Sequence, residues 1–142
     1  MSFVVDSSVA ITWCFAEERT PATAALLDRV TVAGAFAPSL WPLEVLNVLL
    51  MAERRKRVDS ARRHQLMGTL GSLPITLDTQ TAAQAWTITH QLAEQHRLTL
   101  YDASYLELAQ RLELPLATLD TDLRAAARAL SVQLLGAPED SH

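Results

Sequence analysis

The stretch Phe3-Val4-Val5-Asp6-Ser7-Ser8-Val9-Ala10 decides the fold class of this chain. Its apolar, β-branched start favours a short strand, and that strand ends at a carboxylate. Apolar residues at helical spacing, Val9, Ala10, Trp13 and Cys14, follow without a gap. The stretch therefore predicts a strand that passes directly into a helix.

The same alternation continues through the rest of the chain. After the strand at residues 3–5, further strands are predicted at 35–37, 74–77, 116–119 and 132–135, and helices at about 20–30, 39–55, 58–70, 79–96, 101–112 and 122–130. Short apolar strands separated by one or two helices are typical of a parallel sheet covered on both faces. We therefore predict an α/β/α sandwich, with a frayed tail at residues 136–142.

Length and composition are those of a globular protein. The 142 residues are close to the roughly 150 of an average domain, so we predict a single domain over residues 1–142. Hydrophobic residues make up 49% of the chain and charged residues 20%, which excludes disordered and collagen-like classes. The most apolar stretch, residues 43–52, contains Glu44 and Asn47, and the first six residues lack a basic region. We expect a cytoplasmic protein without a membrane partner.

Four carboxylates occupy positions that suggest a common site. Asp6 and Asp120 each follow a predicted strand, and the functional crevice of a parallel sheet lies beyond the carboxyl ends of its strands. Asp102 begins a predicted helix, and Glu44 lies beside the apolar stripe of another. Taken singly, the three aspartates also fit helix caps, so capping and a shared site both stay open at this point.

Gathering these four acids in one place requires a cation. At roughly 5 Å and an effective dielectric constant of about 20, two carboxylates repel each other by about 3 kcal/mol. No lysine or arginine lies within six residues of Asp6 or Glu44, and no cysteine and histidine set has zinc spacing. Hard oxygen ligands favour Mg²⁺ or Mn²⁺, and such an ion beside a basic patch is typical of phosphodiester hydrolysis.

A basic patch is present although the net charge is −4. Six of the twelve basic residues fall within residues 54–63, and Arg54, Arg55 and Arg57 are the candidate RNA-binding residues among them. A solvated helix end explains this run equally well. The three tryptophans have helical spacing with aliphatic residues and are predicted to lie in the core or in a dimer interface: Trp13, Trp41 and Trp86.

Four segments resemble the motifs of PIN-domain ribonucleases. In chain order they are Val-Val-Asp-Ser-Ser-Val-Ala (4–10), Ala-Pro-Ser-Leu (37–40) with Glu-Val-Leu-Asn-Val-Leu (44–49), Tyr-Asp-Ala-Ser-Tyr-Leu-Glu-Leu-Ala (101–109) and Ala-Thr-Leu-Asp (117–120). They occur in the order and spacing of that family. Within it, the chain most resembles the VapC toxins of bacterial toxin–antitoxin pairs.

The resemblance implies a five-stranded parallel sheet of order 3-2-1-4-5 and a Mg²⁺- or Mn²⁺-dependent endoribonuclease. It also implies an RNA substrate, a homodimer, and neutralisation by a VapB-type antitoxin. By position it assigns catalysis and metal binding to four acids, Asp6, Glu44, Asp102 and Asp120. Ser8 and Thr118 match hydroxyl positions that orient the acids or waters.

Other functions are weighed against this one. Within the same family, a housekeeping RNA-processing nuclease stays open, as does an inactive binding module, although that module is expected to have lost an acid. A receiver-type signalling domain needs a lysine near a late strand, and the only lysine here is Lys56. A haloacid-dehalogenase-like phosphatase needs Asp-x-Asp after the first strand, where this chain has Asp6-Ser7-Ser8.

Overall fold

The computed structural model describes residues 2–140, and five strands within that range form one sheet. They are β1 (Val4–Val5), β2 (Ala35–Ala37), β3 (Ile75–Leu77), β4 (Leu116–Ala117) and β5 (Leu134–Leu135). Their order is β3-β2-β1-β4-β5, and every neighbouring pair is parallel. The α/β/α class and the order 3-2-1-4-5 are therefore confirmed. β2 has the predicted bounds, whereas the other four strands are shorter than predicted, above all β4 and β5.

Helices connect the strands. They are α1 (Ser7–Thr12), α2 (Pro21–Ala33), α3 (Trp41–Arg54), α4 (Ser60–Ser72), α5 (Thr81–Gln84), α6 (His90–His96), α7 (Leu100–Leu112) and α8 (Thr121–Ala129). A 3₁₀ turn at Ala16–Glu18, which the sequence did not predict, separates α1 from α2. In the part of the chain that the structure describes, no helix combines the length and the apolar character needed to cross a bilayer.

The central position of β1 determines where the site lies. Val4 pairs with Phe36 on one side and with Leu116 on the other, so the chain leaves β1 between two neighbouring strands. The residues of β1 are fully buried, as are Tyr105 and Leu106 of α7. Because the strand order reverses at β1, a crevice opens beyond its carboxyl end, between the segments that follow β1 and β4.

One predicted helix is interrupted. The helix expected over residues 79–96 consists of α5, a π-helical turn at Ala85–Thr89, and α6. A π turn contains more residues than an α turn, so side chains before it are displaced from the face that a period of 3.6 predicts. Trp13 and Trp41 are buried as expected. Trp86 in the π turn is 88% exposed, so it does not lie in the core, and its other predicted place, a dimer interface, stays a prediction.

The tail after β5 makes defined contacts up to residue 140. Ala137 N donates to Asp140 Oδ2 at 2.8 Å, and Asp140 Oδ1 lies 2.5 Å from Arg124 Nη2. The other arm of that guanidinium, Nη1, donates to the Thr118 carbonyl at 2.7 Å. These contacts attach residues 136–140 to the buried Arg124, and fraying of the tail at residues 136–142 stays a prediction. Residues 141–142 of the predicted tail lie outside the described residues.

Candidate active site

Asp6 is the most buried acid of the site. It follows β1, is 3% exposed, and accepts hydrogen bonds from Ser8 Oγ at 2.7 Å and Thr118 Oγ1 at 2.8 Å. Both hydroxyls donate to Oδ2, whereas Oδ1 has only a long 3.5 Å contact with Ser7 Oγ. Its side chain makes no capping bond to α1, so helix capping does not explain this residue. Burial raises the pKa of Asp6 against these hydrogen bonds, and the charge of Asp120 raises it further.

The same two hydroxyls link the segments after β1 and β4. Leu119 N donates to Ser8 Oγ at 3.0 Å, and Asp120 N donates to Thr118 Oγ1 at 3.1 Å. Each hydroxyl thus accepts one bond from the backbone after β4 and donates one to Asp6. Asp120 itself caps α8, since its Oδ1 accepts from Leu123 N at 2.8 Å.

Asp102 lies in the first turn of α7 and is partly exposed. Its backbone N–H donates to the capping hydroxyl of Thr99 at 3.1 Å. Burial raises the pKa of Asp102 to about 6, and the negative charges of Asp120 and Asp6 add to the effect. A helix N-terminus normally favours a carboxylate, so this rise indicates that desolvation and repulsion outweigh the helix dipole.

Glu44 lies in the first turn of α3 and is half-buried. Its Oε1 accepts a short hydrogen bond from the hydroxyl of Tyr105 on α7, 61 residues later in the chain. Burial raises the pKa of Glu44, and the charges of Asp6 and Asp102 raise it further. Burial and the Glu44 charge in turn raise the pKa of Tyr105, which keeps the phenol neutral. Tyr105 is a site residue that the sequence did not identify.

An open cleft of about 550 Å³ lies between these segments. Three of the four predicted acids line it: Asp6, Asp102 and Asp120. Glu44 is not among the lining residues, although its charge is coupled to those of Asp6 and Asp102. Glu18 of the 3₁₀ turn contributes a further carboxylate to the wall, and Val48 and Leu119 contribute apolar surface. Sequence patterns did not single out Glu18, because the turn that contains it was not predicted.

The acids share the cleft but do not converge on one point. Within residues 2–140, no three side chains of Asp, Glu, His or Cys are positioned to coordinate one ion together. The assignment of four acids, Asp6, Glu44, Asp102 and Asp120, to catalysis and metal binding stays a prediction. The donors still fit Mg²⁺ or Mn²⁺ as a class, because Mg²⁺ keeps several waters and needs only one or two carboxylates. Burial is the main cause of the raised pKa values of Asp6 and Asp102, and the charge of Asp120 adds to it, so a cation beside these acids would stabilise their charged forms.

The three candidate RNA-binding arginines have different surroundings in the structure: Arg57 forms ion pairs, whereas Arg54 and Arg55 are exposed. The Arg57 guanidinium lies 2.6 Å from carboxylate oxygens of both Glu17 and Glu18, and 3.7 Å from the ring centroid of Phe15. Arg57 therefore anchors the 3₁₀ turn beside the cleft. Arg54 and Arg55 are exposed at the end of α3.

Comparisons with known proteins agree with this fold. A family model described as "PIN domain" matches residues 3–129. The structure is similar to the crystal structure of PAE2754 from Pyrobaculum aerophilum, with 24% identity, a TM-score of 0.67, and 89% of this chain and 79% of that chain covered. No curated protein matches the sequence significantly.

Two further solved structures are similar over nearly the full length. FitAcB from Neisseria gonorrhoeae has 18% identity and a TM-score of 0.64, with 94% of this chain and 96% of that chain covered. VapBC2 from Rickettsia felis bound to a DNA fragment from their promoter has 10% identity and a TM-score of 0.61, with 94% and 97% covered. At such identities the likeness establishes the fold alone.

Proposed function

Because this chain belongs to the PIN domain family, whose members are generally nucleases, we propose that it is a divalent-metal-dependent endoribonuclease. The observation that supports this most directly is the buried Asp6. Two hydroxyls hold it in a cleft that Asp102 and Asp120 also line, and no basic residue within residues 2–140 lines that cleft. Such a cleft repels an anionic substrate unless a cation enters with it.

Mg²⁺ or Mn²⁺ would be held by Asp6 and Asp102, with Glu44 and Asp120 acting on the ion or its waters. A divalent ion there supplies positive charge that stabilises the charge developing on a phosphodiester. The protein contributes orientation. Ser8 and Thr118 both donate hydrogen bonds to Oδ2 of Asp6, and Oδ1, which has only a long contact with Ser7, would be the oxygen that binds the ion. Val48 and Leu119 offer apolar surface to ribose or base groups, and Arg54 and Arg55 lie at the end of α3 as candidate phosphate contacts.

The biological role that we propose is that of a VapC-type toxin. VapBC2 from Rickettsia felis, which has a similar fold, was solved bound to a DNA fragment from their promoter, and this supports the proposal. We infer for this chain a VapB-type antitoxin partner, a homodimeric state and a cytoplasmic location. A housekeeping RNA-processing nuclease is the alternative, and growth of a bacterial host separates the two. Induction of the wild-type chain is expected to arrest growth, whereas a housekeeping enzyme is not.

Cleavage of a labelled RNA by antitoxin-free protein tests the activity. We expect cleavage with Mg²⁺ or Mn²⁺, none with a chelator, and none of a DNA of the same sequence. Asp6→Asn should reduce the rate more than about 100-fold, since it removes the charge and keeps the size. Asp28→Asn, an exposed change on α2, is the matched control and should retain activity. Equal cleavage by Asp6→Asn contradicts the proposal, and RNA binding without cleavage by the wild-type protein supports the inactive binding module instead.

A further inference from the structure

Tyr105 connects two helices that contribute acids to the site. It lies on α7, is 0% exposed, and its hydroxyl donates to Glu44 on α3. Asp102 precedes it by three residues on the same helix, and residues three apart share a helix face. One face of α7 thus carries the carboxylate of Asp102 and the hydroxyl of Tyr105, which donates to the carboxylate of Glu44.

The Glu44 carboxylate has no other such partner in the described chain. Within residues 2–140, the hydrogen bond from Tyr105 is the only one that Glu44 accepts through its side chain, and no ion pair includes this residue. A lysine or arginine in this place would also fix the carboxylate, but it would cancel the charge that attracts a cation. A neutral phenol fixes one oxygen and leaves the negative charge intact.

We propose that Tyr105 is a positioning residue, which holds Glu44 through Oε1 so that its second oxygen acts on the divalent ion or its waters. This inference rests on the proposed function. It predicts that the hydroxyl affects metal binding through Glu44, although the hydroxyl also interacts with Ser7. Partners of this kind, which orient a metal ligand without touching the metal, typically change affinity or activity 10- to 100-fold when removed.

A double-mutant cycle with Glu44 tests the proposal. Tyr105→Phe keeps the buried ring and removes only the hydroxyl. We expect the dissociation constant for Mn²⁺, measured by titration calorimetry, to rise about tenfold, and kcat on RNA to fall with little change in KM. In a Glu44→Gln background the same change should have no further effect on Mn²⁺ binding, because the oriented charge is already absent. Tyr101→Phe, the exposed tyrosine one turn earlier on α7, is the matched control and should leave both values unchanged.

The outcomes separate this inference from the proposed function. If Glu44→Gln weakens Mn²⁺ binding while Tyr105→Phe does not, the positioning role is wrong and the nuclease proposal stands. An equal effect of Tyr105→Phe in both backgrounds also overturns the positioning role, because it indicates general loosening of the fold. If the wild-type protein neither binds Mn²⁺ nor cleaves RNA, the proposed function itself is wrong.

A measurement on the wild-type protein avoids any dependence on how the variants fold. The chain contains two tyrosines, Tyr101 and Tyr105, so ¹³C labelling at Cζ gives two NMR signals. We expect saturating Mg²⁺ to shift the Tyr105 signal, because the phenol is bonded to a group that responds to the ion. The Tyr101 signal should not move. A Tyr105 signal that stays constant while calorimetry detects Mg²⁺ binding overturns the proposal.

Discussion

Replacing Asp102 by asparagine tests whether burial and the neighbouring acids of the cleft penalise its negative charge, a cost that a cation would relieve. The pKa of Asp102 rises from 3.8 to about 6 on folding, so the folded state binds more protons than the unfolded state between those two pH values. The contribution of Asp102 to the stability of the metal-free protein therefore falls as the pH rises from about 4 to about 6. Asparagine removes this titration, so the stability of the variant relative to the wild type should rise over the same pH range.

The size of the effect follows from the shift. A rise from 3.8 to about 6 corresponds to about 3 kcal/mol at 1.36 kcal/mol per pH unit. Because Asp102 is partly exposed, solvent screening reduces this, and we expect a gain of about 1–2 kcal/mol for Asp102→Asn at neutral pH. For a chain of this length, that gain corresponds to a melting temperature higher by about 3–6 °C without metal.

With Mn²⁺ present the order of stabilities should reverse. An ion at about 100 times its dissociation constant stabilises the wild-type protein by about 2.7 kcal/mol, and the variant should lose most of this gain. Thermal unfolding at pH 4 to 7.5, with and without Mn²⁺, measures both effects, with Asp28→Asn as the control. If Asp102→Asn and the wild type melt alike at every pH without metal, the repulsion argument fails. If Mn²⁺ stabilises both equally, Asp102 is not a ligand.

Three further changes test other contacts of the site and fold. Thr118→Val removes a hydroxyl that both donates and accepts, so urea unfolding should detect a loss of about 1–3 kcal/mol, which Thr118→Ser restores in part. The ion pair with Arg111 holds the pKa of Asp78 below its usual range, and Asp78→Asn weakens this pair, so the variant should be less stable than the wild type at neutral pH. Below about pH 4 the wild type loses the same contribution, and the difference in stability should disappear. Alanine at Arg54 and Arg55 should flatten the salt dependence of RNA binding measured by fluorescence anisotropy, and an unaltered slope contradicts their role as phosphate contacts.

Short-range patterns predicted much of the site. Asp6 and Asp120 were identified from the ends of two predicted strands, because these positions depend only on where a strand ends. Ser8 and Thr118 were identified from the resemblance to a family, since no spacing rule assigns a role to these hydroxyls. The hydrogen bonds of both hydroxyls to Asp6 then follow from the neighbouring positions of β1 and β4 in the sheet.

Contacts between distant segments account for what the sequence missed. The partner of Glu44 is Tyr105, and the partners of Arg57 are Glu17 and Glu18, about 40 residues before it. No spacing rule links such residues, because their proximity depends on how α3 packs against α7 and on the 3₁₀ turn. The exposure of Trp86 was not predicted, because a helical period does not foresee the π turn that contains it.

The sequence by itself determined the alternation of strands and helices, the acids at the strand ends and the apolar character of the core, since these depend on local composition and period. The sheet order came from resemblance to a family, and periodicity does not encode it. Tertiary structure alone decided that three acids line one cleft, that no three of them in the described chain meet at one ion, and that Tyr105 holds the fourth. The physical reason is that carboxylate separation and desolvation depend on how helices pack, which is a property of side-chain contacts across the fold.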